Sequence, residues 1–280
     1  MKNYQIFLII FLILTVVYLI LEKYKRDYQI SNAREKIKKL KTTIKTNDSF
    51  NKIPKYYINL NRSKDRKSNI EKEIKKYNIK NIERIEAFDG RNITNLREGE
   101  IQGYKYINNS KKNNNTKSEL AITMSHLKAI KKAFNNNYDN VIIMEDDIEF
   151  FLLSHSSIDF QENLNSLPSD CDILLLAHQH SEEFKIISKK EKEVRVSGVC
   201  YLVTKRGMEK LSKYLDNQTF IFKENLENII WDVNIMNSMN IYHTNKSLFL
   251  LYNFKFLSDK INIKDEGFCG DSYKILNSYF

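Results

Sequence analysis

Val141–Phe150 reads VIIMEDDIEF. Four apolar residues in a row, three of them β-branched, mark a strand buried on both faces, the kind found in parallel sheets. The run stops on Glu145, Asp146 and Asp147, three carboxylates together. In an extended segment Glu145 and Asp147 share one side, roughly 7 Å apart, and at an effective dielectric of about 20 their repulsion is on the order of 2 kcal/mol. Something must offset that charge. Water does so if the residues form a solvated turn, and a divalent cation does so if they form a site. The triplet alone leaves both open. If a cation is held, oxygen-only ligands favour Mg2+ or Mn2+ over zinc.

Strands and helices alternate on either side of this stretch. Lys55–Leu60 (KYYINL) predicts a strand that ends in the polar run NRSKDR. A Lys-rich amphipathic helix with Ile70, Ile74 and Tyr77 on one face follows it. IERIEAFDG predicts a second strand closing on a turn at Gly90, and the Asn- and Lys-rich residues 91–117 read as a long loop. Ser118 is a good N-cap, and Glu119 suits the first turn of a helix whose apolar face carries Leu120, Met124, Leu127, Ile130 and Phe134. Further strands are predicted at Asp172–Ala177 and Gly198–Thr204, the latter running into a helix at 206–214. The pattern is that of an α/β domain around a buried, mostly parallel sheet.

In such a sheet ligands bind beyond the carboxyl ends of the strands. Two polar clusters fall there, basic NRSKDR and acidic EDD, which suits a substrate carrying phosphate together with a metal. Glu119, Thr123 and His126 add a polar stripe to an otherwise apolar helix. There is no G-x-G-x-x-G and no P-loop, which argues against dehydrogenases and NTPases.

Ile6–Leu21 carries no charge, and with Tyr4 and Gln5 it makes a helix of about 18 residues, about 27 Å long, enough to span a bilayer core. No small-residue cleavage site follows, so an uncleaved single-pass anchor is expected. Lys2 stands before the span, whereas Lys23, Lys25, Arg26, Arg34, Lys36, Lys38, Lys39 and Lys41 follow it, so the charge asymmetry favours a cytoplasmic C-terminal bulk. Ile30, Ala33, Ile37, Leu40 and Ile44 keep a heptad spacing, so the stalk is either a stem that pairs two chains or a basic helix lying on anionic lipid. The expected divisions are a tail at 1–4, a membrane helix at 5–22, a basic helical stalk at 23–50 and a globular part at 51–280.

The net charge of +10 over 280 residues suits an acidic ligand or surface. Much of the excess lies in the stalk and around residues 111–117, and no recognition motif accompanies it, so no nucleic-acid partner is expected. Three cysteines with no C-x-x-C pair indicate neither a disulfide framework nor a zinc knuckle.

YYINLNRSKDR (56–66), RIEAFDG (84–90), SELAITMSHLKAI (118–130), VIIMEDDIEF (141–150), SGVCYLVTKRGMEKL (197–211) and FLSDK (256–260) resemble, in order and spacing, the motifs of glycosyltransferase family 25. That family includes lipooligosaccharide and procollagen galactosyltransferases. The resemblance implies a GT-A-like nucleotide-sugar-binding fold and inverting transfer from a UDP-sugar to a glycan or hydroxylysine-type acceptor. It also implies Mn2+ or Mg2+ as cofactor. Asp147 then matches the metal ligand, with Glu145 and Asp146 beside it, and Asn59, Arg62 and Arg66 match the nucleotide side. Glu119, Ser125 and His126 match the helix motif, and Asp232 in IIWDVN matches a late acidic position suited to a catalytic base. Trp231 beside it is either a sugar-stacking face or a core residue. Asn61 stands where Asp is usual, and Ala121–Ile122 replace a Gly-Cys type pair. Those departures motivate the alternative of a catalytically degenerate, membrane-bound binding or scaffold module.

Overall fold

A computed structural model describes residues 11–25, 27, 28, 31, 48–110, 116–155, 160–177, 198–223, 229–231, 235–244 and 249–251. The chain divides into two compact units, Met1–Thr43 with Phe254–Phe280, and Ile44–Asn253.

In the first unit residues 11–25 are helical (α1). The large apolar side chains along α1, from Phe11 to Leu21, are exposed. The Thr15 hydroxyl donates back to the Phe11 carbonyl at 2.9 Å, so this polar group is satisfied within the helix. Among the described residues no helix is long and apolar enough to cross a membrane. Residues 5–10 of the expected span lie outside the described residues, as do most of the stalk and the FLSDK motif.

The second unit begins with α2 (Asp48–Lys52), whose Phe50 is buried although the sequence placed it at the end of the stalk. Then follow β1 (Lys55–Asn59), α3 (Lys64–Lys76), β2 (Ile82–Glu86), β3 (Glu98–Ile101), β4 (Tyr104–Asn108) and α4 (Lys117–Asn135). Next come β5 (Asn140–Glu145), β6 (Ile148–Glu149), α5 (Phe151–His155), α6 (Phe160–Asn165) and β7 (Ile173–Leu175). The rest comprises β8 (Cys200–Thr204), α7 (Lys205–Leu211), β9 (Leu215–Asp216), β10 (Thr219–Phe222), β11 (Ile241–His243) and β12 (Leu250–Leu251).

Six strands form the central sheet in the order β11-β7-β8-β5-β1-β2. The pairs β2/β1, β1/β5 and β7/β11 are parallel, but β8 runs antiparallel to both β5 and β7. The sheet is therefore mixed rather than mostly parallel. Apolar runs such as VIIM and CYLV record burial on both faces, and that burial is the same whichever way a strand points.

Residues 98–108, read as loop, instead form the β3/β4 hairpin of a second sheet ordered β3-β4-β10-β9. Its two-residue turn is Gln102-Gly103, both with positive φ (52° and 79°), the geometry that matches the twist of paired strands.

One face of the central sheet packs on α4 and α7. Tyr56, Ile58, Val141, Ile143, Tyr201 and Val203 meet Leu120, Met124, Leu127, Ile130, Met208 and Leu211 there. The other face carries an aromatic cluster in which Phe50 meets Phe160 at 5.4 Å and Phe150 meets Phe249 at 5.6 Å. Lys55 is buried beside it and donates to the Ile53 and Lys80 carbonyls at 2.6 and 3.1 Å. Burial pulls its ammonium down to about 7.

Helix α4 starts one turn detail differently from the sequence expectation. Its N-cap is Thr116, which accepts from the Glu119 amide at 3.2 Å while the Glu119 carboxylate accepts from the Thr116 amide at 2.6 Å. A cap at Ser118 would put Ala121 at the third helical position, where no side chain could reach back.

Helix α7 leaves β8 so tightly that a Cβ on Gly207 would lie 2.3 Å from the Asp172 carbonyl oxygen. Thr204 caps this helix, its hydroxyl accepting from the Gly207 amide at 3.2 Å. Gly207→Ala is expected to destabilise the protein by about 1–3 kcal/mol, the usual cost of overpacking. Denaturant unfolding measures this, and an unchanged midpoint would show that α7 can slide away from β7.

Candidate active site at the strand ends

β1 connects through α3 to β2 on one side, while β5 lies on its other side, so the strand order reverses between β1 and β5. Such a switch point opens a crevice at the carboxyl ends of the strands. Register brings three polar residues level there, because Asn59 pairs with Glu86 and Ile58 pairs with Glu145. β5 ends on Glu145, and Asp146 and Asp147 form a turn instead of continuing the strand.

The three carboxylates have different surroundings. Asp146 is 7% exposed. It accepts from the Asn59 side-chain amide at 2.5 Å and pairs with the Arg66 guanidinium. Arg66 also pairs with Asp147 Oδ2 at 2.8 Å. Asp147 Oδ1 is buried and has no hydrogen-bond partner among the described residues. Glu145 keeps a third of its side chain in contact with solvent and lies 3.6 Å from His126 Nε2. Burial raises the Glu145 and Asp147 carboxyls well above the usual carboxylate range; the neighbouring Glu145 charge pushes Asp147 the same way, and Arg66 opposes both.

Arg62, in the turn between β1 and α3, pairs with Asp89 at 2.6 Å. Burial works against the Asp89 anion, but the Arg91 amide and Arg62 outweigh it and hold this carboxyl below its ordinary value. Of the residues singled out in the sequence, Asn59, Arg66, Glu145, Asp146 and Asp147 are joined through the Asp146 pairs or the short acidic turn, and Arg62 is held apart on Asp89.

Arg84 was missed. Its guanidinium donates to the Asn59 side chain at 3.0 Å, the Asn59 carbonyl at 3.2 Å and Asn61 Oδ1 at 2.7 Å. The period-2 pattern of IERIE puts Arg84 and Glu86 on one side of β2, which is the signal that could have found it. Asn61 also donates to Glu86. An Asp could accept from Arg84 but could not donate to Glu86, so the departure at 61 is built into this network.

On α4 the expected stripe is divided. His126 is 1% exposed and shares a 2.7 Å hydrogen bond with the Tyr201 hydroxyl through Nδ1. Its ring stacks on Trp231 at 4.8 Å with 7° between planes. Trp231 is buried at 1% exposure, so it is a core residue and not a sugar-stacking face. Ser125 donates to the Ala121 carbonyl at 2.6 Å and accepts from the Phe88 amide at 2.9 Å, tying α4 to the end of the β2 segment. Glu119 lies two helical turns from His126, about 10 Å along the axis, and its carboxylate closes the α4 capping box. Asp232, the expected base, lies outside the described residues.

Among the described residues no three of His, Cys, Asp and Glu gather as a protein-built metal cage requires. A cation shared between one or two carboxylates and substrate phosphates needs no such cage. Asp147, whose Oδ1 is buried and unpartnered among the described residues, is a residue that could hold one.

The model of a family described as glycosyltransferase family 25 (LPS biosynthesis protein) matches residues 52–231, from the end of α2 through Trp231. The chain belongs to glycosyltransferase family 25. It is therefore a glycosyltransferase, which implies a sugar donor and a glycan acceptor. The matched segment contains every residue of the strand-end cluster and stops one residue short of Asp232. Comparison with curated proteins gave no match.

The raised carboxyls have a consequence for stability. Their folded values lie above the unfolded ones, so the native state holds the extra protons and stability falls as pH rises from about 4, the ordinary carboxylate value, towards the folded value of about 7. Metal-free protein is expected to lose melting temperature over that window, and Asp147→Asn should flatten the slope. An equally steep slope in the variant would show that other groups set the pH dependence.

Proposed function

We propose that this family 25 member moves a hexose, galactose or glucose, from a UDP-sugar to a hydroxyl of a glycan or hydroxylysine-type acceptor with inversion, on a GT-A-like fold. The observation that carries the proposal is the switch-point cluster. There an Asp147 oxygen that is buried and unpartnered among the described residues lies beside Arg66, and Arg62 stands in the loop that leaves β1. Arg62 and Arg66 are placed to meet a diphosphate, and planar guanidinium forks suit phosphate oxygens. Asp146, which accepts from the Asn59 amide, fixes Arg66 from the protein side. Asp147, with Glu145 beside it, would hold Mn2+ or Mg2+, and a cation bound there supplies Lewis-acid stabilisation of the departing diphosphate. Asp232 takes the proton of the attacking acceptor hydroxyl, the task that an inverting displacement requires of a carboxylate.

His126 supports the site from behind. It is too deeply buried to touch an acceptor, and its stack with Trp231 and bond to Tyr201 hold it near Glu145. Membrane anchoring is proposed through the N-terminal segment. Its support is the exposed apolar surface of α1 and the uncharged sequence that leads into it. The charge asymmetry favours a cytoplasmic catalytic unit, and the stalk offers a seam for pairing two chains. The degenerate-scaffold alternative loses its motive at position 61, where Asn completes the Arg84–Glu86 network.

Calorimetry on the full chain in detergent tests the donor site. UDP is expected to bind only with Mn2+ or Mg2+ present, and Asp147→Ala should weaken that binding by about tenfold or more. Metal-independent UDP binding that survives intact in a folded Asp147→Ala protein would overturn the assignment. Asp232→Asn should keep UDP binding but slow sugar transfer by about a hundredfold or more; an unimpaired rate would place the base elsewhere.

A further inference from the structure

A crevice of about 450 Å³ lies where the C-terminal half of α4 meets β2 and the second sheet, with Tyr104 and Leu215 of that sheet in its wall. The volume falls within the range of small-ligand sites, roughly 300–1,000 Å³. Its walls carry four cations, Arg84, Lys128, Lys131 and Lys132, against one carboxylate, Glu86. From these residues we infer that the crevice binds a phosphate-type anion of about sugar-phosphate size. The crevice shares Arg84 and Glu86 with the strand-end network, but its cations lie mainly on α4 and the inference does not require the transferase reading.

The contacts orient these cations without neutralising most of them. The Lys128 ammonium donates to the Glu86 carbonyl at 2.9 Å and lies 4.9 Å from the Phe88 ring and 5.5 Å from the Tyr104 ring. Lys131 reaches the Ser212 carbonyl at 3.4 Å. Arg84 is bound to Asn59 and Asn61, both neutral. Lys132 alone of the four makes an ion pair among the described residues, with Glu83. The Glu86 carboxylate is engaged by the Asn61 and Gln102 side-chain amides.

Lys128, Lys131 and Lys132 stand within about one turn of one helix, where like charges are mutually destabilising. The negative end of the α4 dipole favours Lys132 in the last turn, but that effect fades before Lys128 is reached. Burial depresses the Lys128 ammonium; the Glu86 carboxylate opposes that shift, and the Lys132 and Arg84 charges add to it. A phosphate group entering beside Tyr104 would add to the single Glu86 carboxylate an anion that Lys128 and Lys131 can both reach. Its remaining bulk would rest on the apolar wall of Ile85 and Leu215.

The test uses the full chain in detergent with saturating UDP and Mn2+, so that the donor site is blocked if it exists. Inorganic phosphate, glucose 1-phosphate and a soluble short-chain phosphatidylglycerol are titrated by calorimetry. Lysine acetylation is followed by mass spectrometry in parallel. Binding is expected to protect Lys128 and Lys131 from acetylation while leaving Lys72 and Lys75 on α3 unprotected. Lys131→Gln at the rim and Lys128→Met in the wall are each expected to weaken binding by about tenfold, the scale of one lost charge-assisted hydrogen bond. Preference for glucose 1-phosphate assigns the anion to a glycan, and preference for the phospholipid assigns it to a headgroup. Either supports the site. Absent binding, uniform lysine protection, or affinities unchanged in a folded Lys131→Gln protein would overturn it. Because the readout is phosphate and not UDP, a failed donor assignment leaves this result interpretable.

Discussion

A carboxylate almost shut off from water, Asp146, governs the arrangement of the strand ends. An ion so buried is tolerated only when paired and hydrogen-bonded, and its two partners come from different elements, Asn59 at the end of β1 and Arg66 in α3. Satisfying it therefore fixes how far β1 and β5 run beside each other and where the first turns of α3 come to rest. Asn59 is in turn fixed by Arg84 from β2. Three adjacent strands and one helix are thus coupled through a single buried charge, and Asp147 is carried into place as the next residue of the same turn.

The parts of this arrangement legible in sequence were those that leave a local trace. VIIM, KYYIN and CYLVT announce buried strands because apolar runs of that length cannot stay in water, and the polar residues at their ends mark a ligand face. Strand direction left no such trace, so the sheet read as mostly parallel although β8 runs antiparallel to both its neighbours. The second sheet was hidden because EGEI and YKYIN are largely polar, and only Ile101, Tyr106 and Asn108 point inward. Asn61 read as a defect because its two partners, Glu86 and Arg84, are distant in sequence. Trp231 was ambiguous for the same reason, since only the fold reveals the ring of His126 against it.

The buried stack of Trp231, His126 and Tyr201 illustrates a polar side chain tolerated inside a core because its needs are met there. One ring nitrogen is bound by Tyr201 and the other faces Glu145, the single acid of the triplet with substantial water contact. The imidazole sits where the hydrophobic core of α4 ends and the charged crevice begins. It separates the two environments while touching both.

Arg66 has a further consequence. Nearly half of its side chain is exposed, so its contact with Asp147 can be given up while its pair with Asp146 is kept. On the proposed reading, a diphosphate that attracted Arg66 would unmask Asp147, and Asp147 engaged by a cation would leave the Arg66 fork open to a diphosphate. Each ligand then strengthens the other by the same factor, as thermodynamic reciprocity demands. Exchange of one cation for another at this turn would make donor and metal arrive effectively as a unit, and would leave the acidic turn covered whenever neither is present.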